Sequence, residues 1–314
     1  MNYSTSAPAK IILFGEHAVV YGHPAIAVPV SSLRATATVL SNSAECGFFI
    51  HAIDLNKTLP ININRGEIED ALELTVKLTL DTLNAPLPDT LIQIESQIPM
   101  ASGLGSGAAV ATALARAITF ATGSEIDNET LNQLIFETEK LHHGTPSGVD
   151  NTVIVYEKPV YFIRDHPIET LHVGAPFQIV IGDTGESALT RESVGDVRKL
   201  LETRPERIKP ILHQIGEIGK LARSAIETGA INDIGSLMLE NHKLLHDLTV
   251  SSESLDILVE AAISAGALGA KLSGGGRGGN MIALVTPNTR EKVKEALRMA
   301  GAIRVFDSQV CTTI

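Results

Sequence analysis

At 314 residues the chain exceeds the size at which a single hydrophobic core usually stops growing, so two packed domains are expected. Hydrophobic residues make up 44% of it, with 26 Gly, 14 Pro and no Trp, which excludes a disordered or fibrous polymer. Acidic residues outnumber basic ones 36 to 25, for a net charge of −11, and no Lys/Arg run of the kind that grips phosphate backbones occurs, which excludes nucleic acid as a partner.

The opening "MNYSTSAPAK" lacks a basic segment followed by a long apolar run, and the apolar stretch 108–121 is broken by Arg116. A cytoplasmic location without a membrane span is therefore expected. Apolar runs bounded by turn residues predict strands at 9–14, 25–30, 34–40, 48–53 and 91–95. Helical periodicity takes over at 67–83, 108–122 and 128–142. Strands follow at 160–163 and 178–181, then a mostly helical stretch over 187–265, and the chain closes on strands at 280–285 and 304–310 separated by a helix at 290–299. Strands first, helices later and a strand-helix-strand ending define an α+β pattern, with a domain boundary expected near 175, giving domains 1–175 and 176–314. The two cysteines, Cys46 and Cys311, match no metal or redox spacing and read as ordinary buried thiols.

Chemistry concentrates in four segments. In "IPMASGLGSGAAVATALA", Gly103, Gly105 and Gly107 run straight into a strong helix former, which places a helix amino terminus on a flexible loop. Unpaired N–H groups and the positive end of the helix dipole make such a junction an anion site that needs no basic side chain. In an acidic protein that matters, because the overall field repels a small anion and only local groups plus a cation can hold it. The competing reading is a tight turn that merely joins strand to helix. Neither a Walker A loop nor the dinucleotide fingerprint is present.

In "ETEKLHHGTPSGVDNTV" a helix ends at Gly144 and a turn carries Asp150 into an expected strand or loop. Glu139 and His143 can share a helix face, which leaves a zinc pair open alongside solvated helix residues. "APAKIILFGEHAVVYGHPA" puts Lys10 at the start of a strand and Glu16 and His17 just past its end; a lysine snorkelling at a sheet edge, followed by a polar turn, is the plain alternative. "KLSGGGRGGNMIALV" holds Gly274, Gly275, Gly276, Gly278 and Gly279 before a strand, where backbone can approach a ligand or another backbone.

Together the four segments resemble the GHMP kinase superfamily over most of the chain, and "HHGTPSGVDNTV" has the form found in its branch that phosphorylates mevalonate. The resemblance implies an amino-terminal α/β domain, a ferredoxin-like carboxy-terminal domain, ATP and Mg²⁺ as cofactors, mevalonate as substrate and a homodimer. Position by position, Asp150 matches the catalytic aspartate, Lys10 the lysine that acts with it, and Glu139 the magnesium ligand. Glu16 and His17 match the substrate-pocket pair, to which Lys10, Asp150, Gly274 and Gly275 also belong. Pro99, Ala101, Ser102, Gly103, Leu104, Gly105, Ser106, Gly107 and Ala108 match the triphosphate loop, and Gly274 to Gly276 the third glycine loop. Three departures stand out, one of them "NTVIVYEKPV", where the family commonly continues with small residues and glycines after the valine. The family loop usually reads Gly-Ser-Ser, whereas Gly107 follows Ser106 here, so Ser106 is the substitute metal-directed hydroxyl. Arg277 interrupts an otherwise all-glycine run and either touches phosphate or forms a salt bridge.

Overall fold

The computed structural model describes residues 3–40, 47–63, 68, 70–100, 102–143, 146–186 and 190–311, and Cys46, Ala101 and the helix end expected at Gly144 lie outside them. The chain forms two compact units, one from Met1–Ala9, Leu33–Pro99 and Gly105–Glu157, the other from Lys10–Ser32, Met100–Leu104 and Lys158–Ile314.

Strands β1 (Tyr3–Phe14) and β2 (Ala25–Leu40) each contribute to both units. The strands expected at 25–30 and 34–40 are this one strand β2, because exposed Ser31 and Ser32 interrupt the apolar run without breaking the extended backbone. The first unit continues with β3 (Phe48–Ala52), β4 (Lys57–Pro60), α1 (Ala71–Leu83), β5 (Thr90–Ser96), α2 (Ser106–Ala121), α3 (Asn128–His143) and α4 (Val149–Tyr156). Its sheet order is β4-β3-β5-β2, with β3 parallel to β5 and β2 antiparallel to it from Ala35 opposite Ser96 to Leu40 opposite Leu91. Asp70 starts α1 by accepting from the N–H groups of Leu72 and Glu73 at 2.9 and 3.0 Å.

Helix α2 is buried on nearly every side, and its alanines at 108, 109, 111, 113, 115 and 117 allow α1, α3 and α4 to pack closely around it. The last of these corrects an expectation. Asp150 lies in the first turn of helix α4, not in a strand or loop. The β-branched run "TVIVY" suits a strand locally, but α4 is tied down as a helix by tertiary bonds: Asn151 Nδ2 donates to Asn132 Oδ1 at 2.6 Å, and Asn132 Nδ2 to Thr152 Oγ1 at 3.2 Å.

The second unit holds β6 (Val160–Phe162), β7 (Glu169–Thr170), β8 (Phe177–Asp183), α5 (Thr190–Thr203), α6 (Pro205–Thr228), α7 (Ile231–Asp247), α8 (Glu253–Ser264), β9 (Gly269–Ser273), β10 (Asn280–Val285), α9 (Arg290–Met299) and β11 (Arg304–Val310). β6 pairs Ala25–Ala27 of β2, and β7 pairs β6. The second sheet is antiparallel in the order β11-β8-β10-β9, with α8 and α9 packed on it and α7 against β9. Helical chain between β8 and β9, a β9-β10 hairpin, then α9 and β11 give the expected ferredoxin-like arrangement. Strand β9 has no counterpart among the expected elements, since glycines and a lysine dilute its apolar signal. Yet all its residues are buried. Cys311 is exposed, contrary to its reading as a buried thiol, because it follows the last residue of β11 at the surface.

Candidate active site

The glycine loop forms the helix junction expected of it. Gly105 takes the left-handed conformation (φ 74°) as the N-cap of α2 and supplies no side-chain cap, so the amides of Ser106 and Gly107 head the helix without a side-chain acceptor at the cap. Ahead of it, Leu104 is buried and its carbonyl accepts from the Lys10 amide at 3.0 Å, while the Ser102 carbonyl accepts from Asn280 Nδ2 at 2.5 Å. Pro99 and Ser106 are half-buried, Gly103 is exposed and Ala108 is wholly buried.

Within the second unit the structure gathers Lys10, Glu16, His17, Ser102 to Leu104 and the third glycine run. Lys10 is 5% exposed, which rules out a solvated snorkelling lysine at a sheet edge. Glu16 and Lys271 form a completely buried ion pair, with Lys271 Nζ donating to Glu16 Oε1 and also to its neighbour's carbonyl, Leu272 O, at 2.7 Å. Burial pushes the Glu16 carboxyl up and the Lys271 ammonium down, and each partner's charge opposes the other's shift. His17 sits at φ 60°, and its Nε2 donates to Gly275 O at 3.1 Å. Burial lowers its pKa to about 4, with the charges of Arg277 and Lys271 acting in the same direction.

Several bonds hold the third glycine run from outside. Gly276 lies so close to the chain that a Cβ there would stand 1.9 Å from Val250 O. Arg277 N donates to the same carbonyl at 2.8 Å, Gly279 N to Glu186 O at 2.9 Å, and Thr184 Oγ1 to Gly279 O at 3.0 Å. Arg277 adopts φ 59° and pairs its Nη1 with Asp196 Oδ2 of α5 at 2.6 Å, so the salt bridge is the reading the geometry adopts. Gly274 lies in the same run, with open space beside it.

The first unit carries the other candidates. Glu139, only 4% exposed, turns a carboxylate oxygen toward α2: a Cβ at Gly107 would lie 3.2 Å from Glu139 Oε1. The departure from Gly-Ser-Ser thus falls where a carboxylate already stands. Asp150 is half-buried at the amino end of α4, where the helix dipole favours a carboxylate. Arg116 is occupied by Glu157 at 2.9 Å and by the carbonyls of Ser6 and Val155, and Lys140 by Glu137 at 2.7 Å. Among the described residues no group of three or more His, Cys, Asp or Glu could hold a metal, and the His143 side chain of the zinc pair lies outside them. Lys271 and Asn280 are the site residues that motif reading passed over. A lysine inside the apolar string "GAKLS" was the available signal, since buried lysine is rare without a partner.

The chain belongs to the GHMP kinases: residues 70–158 match the family's N-terminal domain and 222–303 its C-terminal domain. Its relatives narrow the class to mevalonate kinases. The mevalonate kinase of Pyrococcus furiosus is 37% identical over 96% of this chain and 94% of its own, and that of Methanocaldococcus jannaschii 32% identical over 96% and 98%. A crystal structure of L. major mevalonate kinase in complex with R-mevalonate superposes with a TM-score of 0.85 at 29% identity, covering 98% of this chain and 96% of that one.

Proposed function

We propose that this kinase transfers the γ-phosphoryl group of ATP to the 5-hydroxyl of mevalonate, releasing 5-phosphomevalonate and ADP. Full-length similarity to mevalonate kinases is the observation that carries the reading. The uncapped start of α2 at Gly105 supports a triphosphate at Gly103 to Ala108, with Pro99, Ala101 and Ser102 leading in. In the reaction the substrate oxygen forms its bond to phosphorus as the bond to the ADP oxygen breaks, and Asp150 accepts the hydroxyl proton. Lys10 contributes positive charge to the transfer. Gly274 and Gly275 supply backbone to the acceptor pocket, with Glu16 and His17 packed behind that backbone.

The residues present fit Mg²⁺. This ion usually keeps several waters and takes one or two carboxylates plus phosphate oxygens, so a single buried carboxylate, Glu139, beside an uncapped helix start suffices without a three-ligand cluster. Glu139 would hold it, with Ser106 as a second oxygen. When bound, the ion would supply positive charge against the developing charge of the phosphates. We further propose a boundary near residue 175 between the catalytic domains, a homodimer and a cytoplasmic location; among the described residues no helix is long and apolar enough to cross a membrane.

An unphosphorylated acceptor is favoured over a phosphorylated one because Arg116, Lys140, Lys271 and Arg277 each pair with a carboxylate of the chain itself. An ADP-release assay that compares mevalonate with its phosphate and diphosphate tests this. Turnover with mevalonate alone is expected; preference for a phosphate would overturn it.

A further inference from the structure

Glu16 and His17 follow β1 as a dipeptide whose side chains both reach the third glycine run or its preceding strand. His17 donates to Gly275 O at 3.1 Å, and Glu16 Oε1 takes the Lys271 ammonium. Neither member of the ion pair has exposed side-chain surface. Protein thus engages Glu16 Oε1 and His17 Nε2, while Glu16 Oε2 and His17 Nδ1 are buried without a hydrogen-bond partner among the described residues. Lys271 continues the connection: its Nζ also grips Leu272 O, and the Leu272 amide donates to His242 Nδ1 at 3.3 Å. His242 Nε2 lies 3.3 Å from Asp256 Oδ1, which also accepts from Ser251 Oγ at 2.5 Å. A continuous polar chain thus runs from the Glu16 turn through β9 to α7 and α8.

We propose that Lys271, Glu16 and His17 form a buried strut that positions the backbone of the third glycine run, and that Glu16 acts through the loop without touching substrate. The inference rests on the kinase reading only for its activity measurements. Its physical core is separate. Removing one partner of a buried ion pair strands an uncompensated charge, whereas removing both leaves a pair of neutral side chains of similar shape. Methionine in place of Lys271 keeps the stem's volume, and glutamine in place of Glu16 keeps the carboxyl's shape.

Titratable groups near the pair are His17 and Arg277 on the loop side and, beyond Leu272, His242 with Asp256 and His246. None can replace Lys271 as counter-ion to Glu16: burial disfavours the charged forms of His17 and His242, His246 is exposed beside Asp256, and Arg277 is engaged by Asp196.

The test follows Lys271→Met, Glu16→Gln and the double variant by thermal unfolding and by ADP release with mevalonate, from about pH 6 to about pH 9. Lys271→Met should lose at least about tenfold in kcat/KM near neutral pH, and Glu16→Gln added to it should restore most of the loss. The sign with pH is the sharper readout. In Lys271→Met both melting temperature and activity, each relative to wild type at the same pH, should improve as pH falls, because protonating Glu16 removes the stranded charge. If Glu16 instead serves substrate as a carboxylate acceptor, activity of that variant worsens on acidification and the double variant is no better than the worse single; either result overturns the strut. Should wild type release no ADP, the kinase reading fails, while the unfolding arm still decides the strut through the pH sign and the rescue by the second substitution.

Discussion

Asp150, the proposed base, stands in the first turn of an eight-residue helix, the end at which the dipole favours an acidic side chain. Replacing it with asparagine keeps the shape and removes the base. Steady-state kinetics of Asp150→Asn should show kcat lowered by about 10² or more with little change in KM for ATP. Near-normal turnover would remove Asp150 from the chemistry. His17 and His242 make a different residue-scale statement, since burial lowers both from 6.5 to about 4. Their folded forms refuse a proton that the unfolded chain accepts. Stability is therefore full above about pH 6.5 and falls as pH drops toward about 4, by up to about 1.4 kcal/mol per pH unit for each histidine in that window. Urea titrations at graded pH check the sign: a His242→Gln variant should show a shallower acid loss than wild type.

Two helix starts separate stability from function at the scale of elements. Asp70 caps α1, remote in sequence from every candidate site residue, and Asp70→Ala should lower stability by about 1 kcal/mol with kcat/KM unchanged. Gly105 starts α2 at φ 74°, where an L-residue adds about 1 kcal/mol of strain. Gly105→Ala should thus lose similar stability but also raise KM for ATP several-fold, because the amides of the proposed phosphate loop turn with it. Equal kinetic behaviour in the two variants would deny the loop its nucleotide. The same elements explain what was legible in the sequence. β10, α9 and β11 fall at their expected residues because each has one clean period and turn residues at its ends. α4 and β9 were not legible: a β-branched helix and a lysine-bearing buried strand owe their form to Asn132, Glu16 and the neighbouring strand, none of them local. The glycine loops could be read by spacing, whereas the bonds from Asn280 to Ser102 and from Lys271 to Glu16 join residues far apart in sequence and leave no periodic trace.

For the molecule as a whole, a net charge of −11 means that no long-range attraction draws ATP in, and on the proposed reading main-chain amides and a divalent ion neutralise its phosphates. Nucleotide binding should therefore depend steeply on Mg²⁺ and only weakly on monovalent salt, which calorimetric titration of ATP with and without the ion would show. Strong binding of metal-free ATP would contradict that division of labour. Phosphorus NMR of the product made from ATP and mevalonate decides the proposed reaction itself. A monoester signal split by an adjacent methylene is expected, because the 5-hydroxyl is on a primary carbon; an unsplit monoester, or ATP left intact, contradicts it.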